Sequence, residues 1–130
     1  MKNYILKFVI CLYYLSLNIL IIIYLFPGSI IGYLLYGDIS KQPSIVNNPI
    51  GTSVNHLFYF FYLAFLGLIY NLNKKKFINS FLFLLVLSLF LELLHTVIPN
   101  RVFELNDLLA NIVGVASVFI LFKLKKKFTL

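Results

Sequence analysis

The sequence predicts an all-α integral membrane protein with four transmembrane helices and both termini on the cytoplasmic side. The first observation is composition: of 130 residues, 62% are hydrophobic and only 12% are charged, whereas soluble domains are about half apolar. The second is that the apolar residues fall into four blocks, each long enough to cross a bilayer as a helix. The third is that lysine clusters flank these blocks only at alternate ends. A chain of this length predicts one domain, residues 1–130.

The four blocks define the predicted spans. The first block is uncharged, follows Lys2 and Lys7 and ends before Pro27. It is longer than the apolar core of a signal peptide and no small-residue cleavage site follows it, so we interpret it as an uncleaved anchor. A short polar link joins the second and third blocks and predicts a tight helical hairpin. The spans are predicted at residues 8–26, 54–72, 77–94 and 105–122.

The segment between the first two spans, residues 28–54, follows a different pattern. Its glycines and prolines exclude a full span. Residues 30–36 are apolar and aromatic but too few to cross the membrane. We therefore expect a short helix in the outer interface, or a re-entrant segment that folds back over the bundle.

The basic residues set the predicted orientation. The net charge is +7, but the lysines occur in short runs beside apolar blocks rather than as a nucleic-acid-binding patch. We therefore expect no nucleic-acid partner. With four spans, one side of the membrane carries nine lysines and no acidic residue, which the positive-inside rule assigns to the cytoplasm. These lysines are Lys2, Lys7, Lys74, Lys75, Lys76, Lys123, Lys125, Lys126 and Lys127.

Polar residues concentrate at the opposite ends of the spans. Three of the four acidic residues, the single arginine and one of two histidines lie within residues 92–107. Ser88, Glu92 and His95 share one face of the third span, and Asp107, Asn111 and Gly114 share one face of the fourth. Ionisable groups beside a hydrocarbon phase are costly unless they pair or act. We therefore predict an outward pocket with six ligand-binding candidates: Arg101, Glu92, His95, Asp107, Asn111 and His56.

Several candidates have simpler interpretations. Glu92 and Arg101 could form an ion pair, Asp107 could cap the fourth helix, and Asn111 could hydrogen-bond between helices. The tyrosines, Tyr24 among them, fit interface or packing positions.

Metal and serine-hydrolase chemistry receive little support from the sequence. Glu92-x-x-His95 resembles half of a di-iron motif, but the second half is missing, so no metal site and no cofactor are predicted. The single cysteine excludes a cysteine-based site within one chain. A serine hydrolase would need an activated serine near a histidine, and Ser53 is the nearby serine, without a supporting motif.

The polar residues carry a family resemblance. Glu92-x-x-His95, Pro99-x-Arg101 and Asp107-x-x-x-Asn111-x-x-Gly114 resemble the signature of the VanZ-like family, over roughly residues 52–122. His56 matches a family histidine, Thr52 and Ser53 stand where members often carry an acid and a lysine, and His95 replaces the usual glutamine. The resemblance implies a multi-pass protein of the bacterial cytoplasmic membrane. It also implies a link to the cell envelope, since the family's namesake is associated with glycopeptide resistance.

Three functions remain open at this point. The protein could bind a lipid-linked or anionic envelope component through Arg101. It could be a membrane-embedded hydrolase or transferase, with Glu92 or Asp107 as acid or base and His56 or His95 as a proton shuttle. It could also be a structural four-helix subunit whose polar cluster joins the helix ends. The sequence does not predict an oligomeric state.

Overall fold

The protein is an assembly of α-helices, as the sequence predicts. The structure, a computed structural model, describes residues 2–44, 51–71 and 77–128. Its helices are α1 (Lys2–Leu25), α2 (Ile30–Tyr36), α3 (Gly51–Asn71), α4 (Phe77–Leu94) and α5 (Leu105–Phe128). The predicted hairpin link with Lys74 to Lys76 lies outside the described residues.

Three of these helices are long and apolar enough to cross a membrane. The qualifying segments are Tyr4–Leu25, Gly51–Ile69 and Leu105–Leu124, with mean hydropathies of 2.4, 1.4 and 1.9. The remaining predicted span, the third at residues 77–94, corresponds to a shorter apolar helical segment, Asn79–Leu94. The helices therefore lie where the apolar blocks predict them, whereas the number of spans and their orientation stay predictions.

The core of the bundle is built around α3 and α5, which make its most extensive helix–helix contact. Gly114 of α5 lies directly against the backbone of α3, because a Cβ at this position would overlap the carbonyl oxygen of Leu57 and the amide nitrogen of Phe61. This close approach was expected of Gly114. Around it, α1 packs on α3, and α4 packs on both α3 and α5. The side chains between the helices are apolar: Leu20, Phe60, Leu63, Leu84, Leu91, Val115 and Val118 are all buried.

The outside of the bundle is also apolar. Large hydrophobic side chains such as Phe8, Val86 and Leu121 are more than half exposed. An apolar core together with an apolar exterior is what a helix bundle in hydrocarbon requires, since lipid tails contact the outer faces.

The segment after α1 folds back on itself. Ser29 caps α2 by accepting a hydrogen bond from the Gly32 amide at 2.9 Å, and Gly37 ends the helix in the left-handed region, with φ of 68°. Gly32 packs against the backbone of Lys41 so closely that a Cβ would overlap its carbonyl oxygen. The short helix has the predicted bounds. The segment that follows it packs against the face that carries Gly32, through the backbone of Lys41.

Candidate functional site

Four helix ends bring the polar residues together at one end of the bundle. The end of α1, the start of α3, the end of α4 and the start of α5 meet there, as the alternating chain direction requires. Glu92 and Asn111 are completely buried, and His95 and Asp107 are nearly so. Burying an ionisable group in so apolar a molecule is costly unless the group has a partner or a function. The partners of each group therefore indicate what the group does.

Asp107 joins α5 to α3. Its Oδ1 accepts a hydrogen bond from the Ser53 hydroxyl at 2.5 Å, and its Oδ2 lies 3.3 Å from Nε2 of His56. Asp107 also stands in the first turn of α5, where a negative charge complements the helix dipole. The capping interpretation and the contact with His56 are therefore compatible.

Tyr24 of α1 completes a chain of hydrogen bonds. Its hydroxyl lies 2.5 Å from Nδ1 of His56 and accepts a hydrogen bond from the side-chain amide of Asn111 at 3.1 Å. Its ring stacks on that of His95, with centroids 5.0 Å apart. The sequence interpretation treated Tyr24 as a packing or interface residue and missed this role. The sequence signal that could have revealed this role was the position of Tyr24 along the chain. It lies one helical turn before Pro27, at the same end of the bundle as His56.

The groups around His56 favour one tautomer of its ring. A carboxylate only accepts, so Asp107 favours a proton on the nearby Nε2, and in that tautomer Nδ1 accepts from the Tyr24 hydroxyl. The Asn111 amide then donates to Tyr24 and the Tyr24 hydroxyl to His56, while Nε2 of His56 lies within ion-pair distance of Asp107. This is the arrangement in which a histidine acts as a base toward a hydroxyl while a carboxylate orients it.

Glu92 joins α4 to the start of α5. Its Oε1 lies 3.4 Å from Nδ1 of His95 and accepts a hydrogen bond from the backbone amide of Glu104 at 3.1 Å. Within the described part of the chain, Oε2 of Glu92 and Nε2 of His95 are buried without a hydrogen-bond partner. Glu104 itself lies outside the helices, where burial first and then the charges of Asp107 and Glu92 raise the pKa of its carboxyl group.

Arg101 contacts α1 rather than an acidic side chain. Its Nε donates to the carbonyl of Phe26 at 3.3 Å and its Nη2 to the carbonyl of Ile23 at 2.9 Å, so it caps the last turn of α1. Among the described residues, the guanidinium forms no ion pair, and the Glu92–Arg101 pair left open by the sequence is not formed. Burial lowers the pKa of Arg101, but a guanidinium stays charged in proteins.

A cavity of about 140 Å³ lies in front of this network. Its lining includes the polar residues Arg101, His56 and Tyr24, together with apolar residues such as Leu20, Ile23, Ile31 and Phe60. Of the six predicted ligand-binding residues, only Arg101 and His56 line this cavity. The remaining four, Glu92, His95, Asp107 and Asn111, stand behind its wall. Their direct contact with a ligand stays a prediction.

An open groove of about 460 Å³ adjoins the cavity. The groove and the cavity share Ile31, Pro43, Asn55 and Tyr59, and Phe58 and Tyr62 continue the groove along α3. The surface is thus polar at its inner end and apolar along its length.

A metal site has no support in the described residues. Nowhere in residues 2–44, 51–71 and 77–128 do three or more histidine, cysteine or acidic side chains lie close enough together to hold a metal ion. The Glu92–His95 pair, which resembles half of a di-iron motif, has no third ligand of these types beside it there.

The family assignment follows from a match over nearly the whole chain. The family model described as VanZ/LLP1 matches residues 8–126. The chain belongs to the VanZ/LLP1 family. No curated protein and no solved structure is similar enough to this chain to be matched to it.

Membership confirms the resemblance seen in the motif residues. Together with the long apolar helices, it identifies the chain as a VanZ/LLP1 membrane protein. Most of the family-like motif forms the buried polar layer: Glu92 and His95 on one side, Asp107 and Asn111 on the other, with Gly114 allowing α3 and α5 to approach. Ser53 uses its hydroxyl to hold Asp107.

Proposed function

We propose that this VanZ/LLP1 protein binds the anionic headgroup of an amphiphile, such as a lipid-linked envelope precursor, in the cavity beside Arg101. The observation that carries the proposal is a guanidinium on the cavity wall without an ion-pair partner among the described residues. Arg101 is half-buried, and a cation that is partly removed from water is costly unless an anion joins it.

The hydrogen-bond pattern of Arg101 supports an anionic ligand. The carbonyls of Ile23, in the last turn of α1, and of Phe26, just after it, accept from Nη2 and Nε. These contacts fix the plane of the guanidinium, and its other N–H groups are left to donate to a ligand. A guanidinium held in one orientation suits the oxygens of a phosphate or carboxylate group. Ser29, Gln42 and Asn55 on the same wall offer hydrogen bonds to the rest of a headgroup.

The adjoining groove supports a ligand with a hydrocarbon chain. Its residues, among them Ile31, Phe58 and Tyr62, are mostly apolar, and it continues directly from the cavity. A headgroup at Arg101 would place an attached chain along α3. The proposed ligand is therefore amphiphilic rather than a small water-soluble anion.

The lysine distribution supports an outward site. We propose four spans, with both termini in the cytoplasm and the cavity on the outer side of the bacterial cytoplasmic membrane. Lys7 and Lys123 lie toward the opposite ends of α1 and α5 from the cavity. We include in this proposal a role in envelope modification or glycopeptide tolerance. Only the family membership suggests that role.

The test compares binding of farnesyl diphosphate and farnesol to the purified protein in nanodiscs. We expect the diphosphate to bind more tightly than the uncharged alcohol. The Arg101→Gln variant should lose tenfold or more in affinity for the diphosphate, since a hydrogen bond to a charged group contributes about 1.5 to 3 kcal/mol. Lys41→Gln is the matched control, because it removes a positive charge from an exposed side chain outside the cavity lining.

Equal affinity of wild type and Arg101→Gln for the diphosphate would contradict the proposal. If neither ligand binds, and Arg101→Gln only lowers the melting temperature, the structural interpretation is favoured. In that case the arginine serves to attach the α4–α5 connection to α1 through its two carbonyl contacts.

A second candidate function, catalysis, is favoured by the hydrogen-bond chain behind the cavity. The carboxylates expected to act as acid or base, Glu92 and Asp107, do not line the cavity. A catalytic role would instead have to act through His56 and Tyr24, which do.

A further inference from the structure

A row of polar contacts ends at Tyr24, a residue of the cavity lining. Oδ2 of Asp107 lies 3.3 Å from Nε2 of His56, and Nδ1 of His56 lies 2.5 Å from the Tyr24 hydroxyl. Both Tyr24 and His56 line the cavity. The order carboxylate, imidazole, hydroxyl is the order that activates a serine in hydrolases, with a phenol in the place of the serine.

We propose that Tyr24 is a nucleophile that accepts a phosphoryl group from a phosphorylated amphiphile bound at Arg101. The inference rests on the proposed binding function and adds a reaction to it. The substrate class is a diphosphate carried on a hydrocarbon chain, and the products are inorganic phosphate and the chain's monophosphate.

The position of Arg101 supports this assignment. Its Nη2 donates to the carbonyl of Ile23, the residue immediately before Tyr24 in the last turn of α1. Arg101 therefore lies beside the turn of α1 that carries Tyr24, and both residues line the same cavity. A phosphoryl group needs a cation for its charge and a nucleophile beside it, and the cavity lining supplies both.

The remaining contacts of Tyr24 fit a nucleophile. The side-chain amide of Asn111 donates to the hydroxyl oxygen at 3.1 Å, which stabilises negative charge as it develops there. The ring is stacked on His95 and buried, so the oxygen has a fixed position. The oxygen donates once and accepts once, which leaves one further acceptor position for a bond to phosphorus.

The reaction has two balanced steps. In the first, the Tyr24 oxygen attacks the terminal phosphorus, its proton passes to Nδ1 of His56, and the bridging P–O bond breaks. The leaving monophosphate departs with the bond's electron pair and takes the proton from His56. In the second, water attacks the phosphotyrosine, His56 accepts a proton from the water, phosphate is released, and the Tyr24 oxygen regains that proton.

The experiment uses the full chain in nanodiscs with farnesyl diphosphate and measures phosphate release and binding separately. We expect wild type to release phosphate. Tyr24→Phe and His56→Asn should retain binding of the diphosphate that depends on Arg101, yet release phosphate at least about 100-fold more slowly than wild type. Tyr13→Phe is the matched control, because it removes the hydroxyl of another buried tyrosine on α1, away from the cavity. In denatured wild type, mass spectrometry should find phosphate on Tyr24.

The outcomes separate this inference from the binding proposal. If Tyr24→Phe releases phosphate at the wild-type rate, Tyr24 is not the nucleophile and the inference is overturned. If wild type binds the diphosphate but releases no phosphate, the reaction is overturned while the binding proposal stands. If wild type does not bind it, both are overturned. Circular dichroism melting of each variant shows whether a lost activity reflects lost folding. If Tyr24→Phe does not fold, His56→Asn tests the same reaction.

Discussion

We expect the carboxylate of Asp107 to keep the His56 proton on Nε2, and this expectation is testable without knowing the ligand. Ser53 donates to Oδ1, and Oδ2 faces Nε2 of His56. In Asp107→Asn, the Ser53 hydroxyl holds the amide oxygen, so the amide NH2 group faces Nε2. Two donors cannot share that contact, and we expect the His56 proton to move to Nδ1. Nitrogen NMR of histidine-labelled protein in micelles measures the tautomer.

The two histidines of the chain make this spectrum simple to assign. His95→Gln removes the other signal. A His56 signal unchanged by Asp107→Asn would contradict the hydrogen-bond chain described above. Were the proton to shift, Nδ1 could no longer accept from Tyr24, and any phosphate release should fall with it.

At this scale the sequence predicted the cluster but not all of its partners. Polar spacing on two apolar helices was sufficient to bring Glu92 and Asp107 to the same end of the bundle. Tyr24 was missed because one tyrosine among nine at a helix end has the same pattern whether it packs or bonds. The partner of Arg101 was open because it is a pair of backbone carbonyls, which no residue type reveals.

The contact between α3 and α5 depends on the absence of a side chain at Gly114. A Cβ there would meet the backbone of Leu57 and Phe61, and backbone cannot move aside as a side-chain tip can. We therefore expect Gly114→Ala to lower the free energy of unfolding by about 1 to 3 kcal/mol, in the range of overpacked cores. Circular dichroism at 222 nm during denaturant or detergent titration measures the change.

Gly67→Ala provides the matched control, in the middle of α3. A Cβ there would lie 3.4 Å from the ring of Tyr13, at ordinary contact distance. Alanine also favours a helix over glycine by about 1 kcal/mol, so this variant should be as stable as wild type or more so. Equal stability of the two alanine variants would show that α3 and α5 can separate at no cost, contrary to the packing at Gly114.

Elements were easier to predict from the sequence than the way they pack. Helix positions followed from apolar blocks bounded by Pro27, Gly28 and lysine runs, because these residues end helices or lie outside hydrocarbon. For the segment after α1, the sequence left two alternatives open, a short interfacial helix or a re-entrant segment. The way this segment folds back depends on the backbone contact between Gly32 and Lys41, a tertiary contact that the local sequence pattern does not encode.

Across the whole molecule, charge is divided between two ends. The acidic residues and Arg101 lie toward the end with the cavity, and Lys7 and Lys123 toward the other. An apolar exterior separates the two ends. The division accounts for why composition predicted a membrane protein with a polar site at one end. The topology then depends on whether α4 crosses the membrane, because the apolar segment described in α4 is the shortest of the four.

Cysteine labelling decides whether α4 crosses the membrane. In a Cys11→Ser background, single cysteines replace Tyr4, Val97 or Leu124, whose side chains are 77%, 74% and 46% exposed. With four spans, a membrane-impermeant maleimide should label Val97→Cys in intact cells, and Tyr4→Cys and Leu124→Cys only after permeabilisation. If α4 does not cross, Val97→Cys shares the side of Tyr4→Cys and Leu124→Cys takes the opposite one. The second pattern would place part of the lysine-rich sequence outside, against the positive-inside rule, and would overturn the proposed topology.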